Sequence, residues 1–194
     1  MPSYLSSIKC VLVGNCGVGK TCLLIAYTTG IVGPRHYVPK IFDGWAKTIT
    51  VRGGTYSFGL WDTGEGTLDH DRLRPLSYIG ASVFLVCFAV DSSKSFESVR
   101  RAWISEISHH SHGIPFILVG TKIELRSDDY EKTSSKRKFV TKEEGEEAAR
   151  EIGAVAYLEC SAFTREGVDD VFKTAMFVGS DPIYEKKSRK CCIF

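Results

Sequence analysis

The stretch Gly14-Asn15-Cys16-Gly17-Val18-Gly19-Lys20-Thr21 decides how this chain folds. It fits the pattern G-x-x-x-x-G-K-[ST]. The apolar run Ile8–Val13 before it reads as a strand, and Lys20–Thr29 after it reads as a helix. Glycines let the backbone curl until consecutive N–H groups converge on phosphate oxygens. The helix that follows adds the positive end of its dipole. Lys20 is then placed to reach β- and γ-phosphates, and the Thr21 hydroxyl to bind Mg²⁺. The complete motif in this context argues against a glycine-rich turn that holds nothing.

Outward from this loop, short apolar runs alternate with helical patterns. Gly30–Asp43, with Gly33, Pro34 and Pro39, reads as a loop. Trp45–Val51 and Thr55–Trp61 flank Arg52-Gly53-Gly54 and predict a hairpin. Val83–Val90 and Ile114–Val119 are continuous apolar runs, as expected of parallel strands covered on both faces. Between them, Phe96, Val99, Trp103, Ile104 and Ile107 predict one amphipathic helix over Ser93–His109. Thr141-Lys142-Glu143-Glu144 opens a helix to Ile152 with a capping box. Ala154–Leu158 is a last strand and Glu166–Val178 a last helix. A hairpin followed by β-α alternation predicts an α/β fold with a mostly parallel, six-stranded sheet and helices on both faces. The charged segment Arg126–Lys138 reads as a surface insert.

Other segments point to the same kind of site. Trp61-Asp62 ends an apolar strand, as does the aspartate that holds Mg²⁺ through water in phosphate-binding folds of this type. Thr121-Lys122-Ile123-Glu124 and Cys160-Ser161-Ala162 each follow a strand, at the carboxyl ends where open α/β sheets bind ligands. Tyr37-Val38-Pro39-Lys40 precedes another. On these residues the chain resembles a Rho-family small GTPase, nearest to the Rac-like members. The likeness runs from about Ile8 to Val178. It is most specific at Lys20-Thr-Cys-Leu-Leu-Ile25, Asp71-Arg-Leu-Arg-Pro-Leu-Ser-Tyr78, Val119-Gly-Thr-Lys122 and Glu151–Ala162. The charged segment, near 126–139, resembles the insert that sets Rho proteins apart.

The resemblance implies a P-loop small G-protein domain over residues 1–180 that switches between GTP and GDP with Mg²⁺. Thr21 and Asp62 would serve the metal, and Lys20, Thr21 and Asp62 the reaction. Nucleotide contacts would come from Gly14, Asn15, Cys16, Gly17, Val18, Gly19, Lys20, Thr21 and Cys22. Thr121, Lys122, Glu124, Ser161 and Ala162 would complete the base side. Effectors would be met through Tyr37, Lys40, Phe42, Asp43 and the segment Gly64–Tyr78 that includes Gly66, and exchange factors through Trp61. A GDP-dissociation inhibitor is a further expected partner, and signalling to actin and membranes the expected setting. Phe42, Trp45 and Trp61 read equally well as side chains that cover the sheet.

The departures from the family cluster on the nucleotide site. Cys16 replaces a loop glycine, and its side chain would obstruct a water-positioning group or an incoming arginine. Lys40 replaces the threonine that coordinates Mg²⁺. Asp62-Thr63-Gly64-Glu65-Gly66-Thr67 stands where the family has Asp-Thr-Ala-Gly-Gln-Glu, so Gly66 or Thr67 takes the place of the water-orienting glutamine. Glu124 stands for the aspartate that reads guanine, and Val32 for an aromatic ring over the base. The expectation is a GTP-binding protein with weakened affinity and slow hydrolysis. The alternative is a membrane-tethered pseudo-GTPase, a binding module with little or no dependence on nucleotide. An ATPase or small-molecule kinase is disfavoured, since no catalytic acid for an acceptor is evident.

Composition sets the remaining bounds. The chain has 194 residues, 43% hydrophobic and 25% charged, with a net charge of +2. That is ordinary globular composition for one domain and carries no signal for nucleic acid. The basic character lies in residues 181–194, where Lys186, Lys187, Arg189 and Lys190 precede Cys191-Cys192-Ile193-Phe194. This ending reads as a prenylation box with Cys191 as the lipid site and the lysines and arginine as the second signal toward an anionic membrane. The expected location is the cytoplasmic face of a membrane, chiefly the plasma membrane, with a cytosolic pool, as a monomer. Pro2 after Met1 excludes N-myristoylation. Seven cysteines without a C-x-x-C pair fit a reducing compartment better than a disulfide framework. His109, His110 and His112 read as an exposed helix end rather than a metal site.

Overall fold

A computed structural model describes residues 6–31, 44–63, 73–126 and 138–183. Six strands form one sheet in the order β2-β3-β1-β4-β5-β6. They are β1 (Ser6–Val13), β2 (Trp45–Val51), β3 (Gly54–Asp62), β4 (Val83–Ala89), β5 (Phe116–Thr121) and β6 (Ala156–Cys160). Among the described residues only β2 and β3 pair antiparallel; β1 pairs parallel with β3 and β4, and the series continues parallel through β5 to β6. The α/β architecture expected from the alternation of runs is the observed one.

Alternation along each central strand divides the core. Cys10 and Leu12 of β1 face a cluster with Leu23 and Leu24 of α1 (Lys20–Thr29) and Val171 and Phe172 of α5 (Val168–Gly179). Val11 and Val13 face the opposite cluster, with Phe84, Phe88, Trp103, Ile107 and Ala148. That second layer is built from α2 (Ser93–Ser98), α3 (Ile104–His110) and α4 (Lys142–Ile152). Because β1 is covered on both faces, its apolar side chains are continuous rather than alternating with polar ones.

Several expected boundaries shift. The strand expected over Ile114–Val119 runs instead from Phe116 to Thr121, since Pro115 has no N–H for the ladder and its carbonyl alone accepts from Phe84 (3.0 Å). The strand expected over Ala154–Leu158 begins at Ala156. Gly153, at φ 75°, ends α4, and the N–H of Ala154 still bonds to the helical carbonyl of Ala149. The last helix starts at Val168 because Gly167 (φ 68°) turns the chain just before it; a Cβ there would lie 2.1 Å from the Glu159 carbonyl oxygen. The capping box of α4 is present in both directions, Thr141 to Glu144 and back.

The largest correction concerns residues 93–109. They are not one amphipathic α-helix. Val99–Trp103 is a π-helical segment between α2 and α3, with the N–H of Ile104 bonded to the carbonyl of Val99. Apolar spacing cannot distinguish this, because an extra residue in one turn leaves the apolar stripe largely in place.

The hairpin between β2 and β3 is tied to the far end of α5. Arg52, in the left-handed region at φ 52°, lays its guanidinium 3.6 Å from the centroid of the Phe177 ring and pairs with Asp181 at 3.1 Å. The expected effector loop (Tyr37, Lys40, Phe42, Asp43, with Val32), Gly64, Glu65, Gly66 and Thr67, the insert from 127 to 137, and the tail with Cys191 lie outside the described residues.

Candidate functional site

The loop Gly14–Gly19 leaves the carboxyl end of β1, at the centre of the sheet, where strands reached in opposite directions flank it. Three of its glycines hold positive φ: Gly14 at 145°, Gly17 at 75° and Gly19 at 98°. At Gly14 the requirement is also steric, since a Cβ would lie 2.3 Å from the carbonyl oxygen of Cys87. Inside the curl, the Lys20 ammonium donates to the carbonyls of Gly14 (2.7 Å) and Asn15 (3.0 Å), and the residue is only 4% exposed. Two carbonyl dipoles thus hold a buried cation where the loop opens.

The next residue, Thr21, bonds through its hydroxyl to the carboxylate of Asp62 at the end of β3. Thr63 Oγ1 donates to the Leu12 carbonyl (2.8 Å) and fixes the exit of β3 against β1. A hydroxyl and a carboxylate side by side, next to a buried lysine, make an oxygen donor set suited to a hard divalent cation.

The remaining expected site residues converge from the neighbouring strand ends. Thr121 is buried, and its hydroxyl lies 2.6 Å from the carbonyl oxygen of Val18 and 2.9 Å from that of Phe88. Its side chain therefore ties β5 to the loop. Lys122 is in the left-handed region at φ 63°, a conformation uncommon outside glycine. Its stem crosses the loop, with Cε 4.0 Å from where a Cβ on Gly19 would be. Glu124 is half-buried in a 3₁₀ turn, Ile123–Arg126. Ser161 is fully buried, and its hydroxyl accepts from the N–H groups of Phe163 (3.1 Å) and Thr164 (2.9 Å), shaping the turn that presents Ala162.

Behind the Glu124 turn, Arg126 makes a bidentate pair with Glu159 (2.8 Å each), and Tyr157 Oη donates to the same carboxylate (2.6 Å). Burial, then the bond to Glu159, pushes the Tyr157 hydroxyl pKa up, so it stays a donor. The other Nη contact of Arg126, to the Val140 carbonyl, joins the two ends of the charged segment.

Cys16 is exposed on the rim of the loop, beside a cavity of about 370 Å³ lined also by Asn15, Val18, Lys94 and Lys122. Cys22 is half-buried in α1, while Cys10, Cys87 and Cys160 lie in the core. Burial pushes the Cys87 thiol up to about 12, and those of Cys10 and Cys160 upward as well. Trp61 is 38% exposed; its ring lies back over Gly59, with Lys9 Nζ 4.7 Å from the ring centroid. Trp45 packs edge-on against Tyr27, 5.7 Å between centroids, and belongs with the core.

One participant escapes the sequence. Trp103 Nε1 donates to Asn15 Oδ1 (2.7 Å), and Asn15 Nδ2 donates to Ser98 Oγ (3.1 Å). In the sequence Trp103 is one more apolar residue on a helical stripe. The signal available was that a buried indole N–H needs an acceptor.

A family model for the Ras family matches residues 9–178. That span takes in the glycine loop, the Thr21–Asp62 pair, the Lys122 and Ser161 turns and, from Lys9 of β1 onward, the strands that carry them. Ras-family GTPases bind GTP and GDP with Mg²⁺, and they engage effectors and exchange factors. The residues present here fit such a ligand: a curled glycine loop closed by a buried lysine, with two oxygen donors in contact beside it. The chain belongs to the Ras family of small GTPases.

Proposed function

We propose that this GTPase is a Rho-like switch that binds guanine nucleotide and hydrolyses GTP slowly. The observation that carries the reading is a split within one site. Lys20 lies in the curl of the glycine loop, and Thr21 and Asp62 bring two oxygens together beside it, an arrangement that suits nucleotide and Mg²⁺. Yet the sequence from Gly64 to Thr67 has no glutamine to orient water, and Cys16 projects a side chain at the loop's exposed rim.

In this reading, Gly14–Thr21 hold the phosphates, Thr21 and Asp62 hold Mg²⁺, and Lys122, Glu124 and Ala162 hold the base. Bound Mg²⁺ neutralises charge on the phosphates during transfer. Glu124, one methylene longer than aspartate, lowers guanine affinity and selectivity. Residues 1–180 form the switch, and residues 181–194 tether it through a lipid on Cys191 to the cytoplasmic face of a membrane, where actin signalling would be its output.

The deciding experiment counts the nucleotide carried by purified full-length protein and follows its hydrolysis in a single turnover. Stoichiometric nucleotide with GTP that persists supports the reading. Hydrolysis at the rate of an ordinary Ras-family member overturns it, and protein free of nucleotide favours a pseudo-GTPase. For the tether, Cys191→Ser should move the protein from membrane to soluble fractions; unchanged partition would refute it.

A further inference from the structure

The side chain of Asn15, in the glycine loop, is gripped from the helical layer, and the grip has an unusual origin. Its two partners, Ser98 and Trp103, are five residues apart. On a regular α-helix such residues lie about 140° apart around the axis and cannot both face one amide. The π-helical segment Val99–Trp103, with its wider i→i+5 turn, brings them to one side. The amide of Asn15 is thereby held at both its oxygen and its nitrogen.

The same indole is held on its ring by the segment that follows Leu73. Arg74 places its guanidinium 4.9 Å from the Trp103 ring centroid. Arg74 Nε pairs with Glu106 (3.3 Å), and Tyr78 Oη donates to that carboxylate (2.5 Å). Burial, then the bond to Glu106, pushes the Tyr78 hydroxyl up, so this donor persists at neutral pH. A continuous set of contacts therefore runs from Arg74 and Tyr78, through Trp103, to Asn15.

We propose that Trp103 is a positioning residue for the nucleotide-binding loop, and that Arg74 lets the 74–78 turn bear on nucleotide retention through it. The π-helical segment exists in this chain to make the grip. Loss of the indole N–H frees Asn15, loosens the loop that Gly14 to Gly19 form, and speeds nucleotide release. The inference rests on nucleotide binding by the family and is independent of how fast GTP is hydrolysed.

The test measures release of a fluorescent GDP analogue from the full chain with Mg²⁺ for Trp103→Phe, Asn15→Ala and the double variant. One buried hydrogen bond corresponds to about three- to tenfold faster release in each single variant. The double variant should be no faster than the faster single one, because both remove one contact. Arg74→Ala should speed release in the same direction. Parental release from Trp103→Phe, or effects that multiply in the double variant, would overturn the positioning role. Parental release from Arg74→Ala would overturn the link to the 74–78 turn. Should Trp103→Phe fail to fold, Asn15→Leu leaves the helices intact. Faster release together with rapid solvent exchange of the Trp103 indole proton then supports the proposal, and parental release refutes it.

Discussion

The Lys20 ammonium lies 2.7 Å from the carbonyl oxygen of Gly14, six residues earlier, so the loop is closed on itself by a charge at its centre. The lysine thus serves the loop's shape and, in the proposed reading, a ligand's phosphates as well. Lys20→Ala removes both roles and leaves two carbonyls facing inward. Charge-assisted bonds are worth about 1.5–3 kcal/mol each, so nucleotide affinity should fall by more than about tenfold. Nucleotide content after gel filtration checks this; an occupancy equal to the parent's would contradict it.

Glu124→Asp should tighten guanine recognition. In the proposed reading, the shorter carboxylate would restore a bidentate reach to the ring from the same 3₁₀ turn, Ile123–Arg126. Affinity for GDP should rise by about tenfold, and preference for GDP over inosine diphosphate, which lacks the amino group, should rise with it. Competition titration of the two nucleotides reads the ratio directly. An unaltered ratio would show that residue 124 does not face the base.

Gly145→Ala should destabilise the protein, against the usual gain of about 1 kcal/mol for this change in a helix. An added Cβ would lie 2.2 Å from the Tyr157 ring, and that ring cannot swing away cheaply because its hydroxyl is held by Glu159. Overpacking of this kind costs about 1–3 kcal/mol. Thermal melting should show a lower midpoint, and Tyr157→Ala should abolish the penalty of the added methyl. A raised midpoint for Gly145→Ala alone would contradict the contact.

Stability should be level through neutral pH and fall above about pH 9. The folded thiols of Cys10, Cys87 and Cys160 have raised pKa values, Cys87 at about 12. Above the unfolded value of about 8.5, the unfolded chain releases protons that the folded chain keeps, and the balance moves toward unfolding. All three thiols act in the same direction, so stability declines steadily as pH climbs above the unfolded value. Urea midpoints at pH 7, 9 and 10 under reducing conditions measure the slope. A flat profile to pH 10 would contradict it.

The fold was legible because the signals were local and repeated. Val83–Ala89 and the capping box at Thr141 announce their elements by composition alone. Boundaries were less legible where a distant partner decided them, as at Ala154, whose N–H is claimed by the end of α4. The glycine loop could be read from spacing, since Gly14, Lys20 and Thr21 act within eight residues. Thr121 shows the limit: its place in a base-side motif was readable, but its bond to the Val18 carbonyl, 103 residues away in sequence, was not. Likewise nothing local marks the π-helical turn that brings Trp103 and Ser98 to Asn15.

The contact of Arg52 with Phe177 and Asp181 has a topological consequence. It joins residues 129 positions apart in sequence, so the segment just after α5 and the β2–β3 turn hold one another. The hairpin reached in this way lies on the border of the sheet opposite β6 and is itself closed by seven antiparallel residue pairs, from Trp45–Leu60 to Val51–Gly54. The outermost hairpin is thereby bracketed to the helical layer as well as to its neighbouring strand.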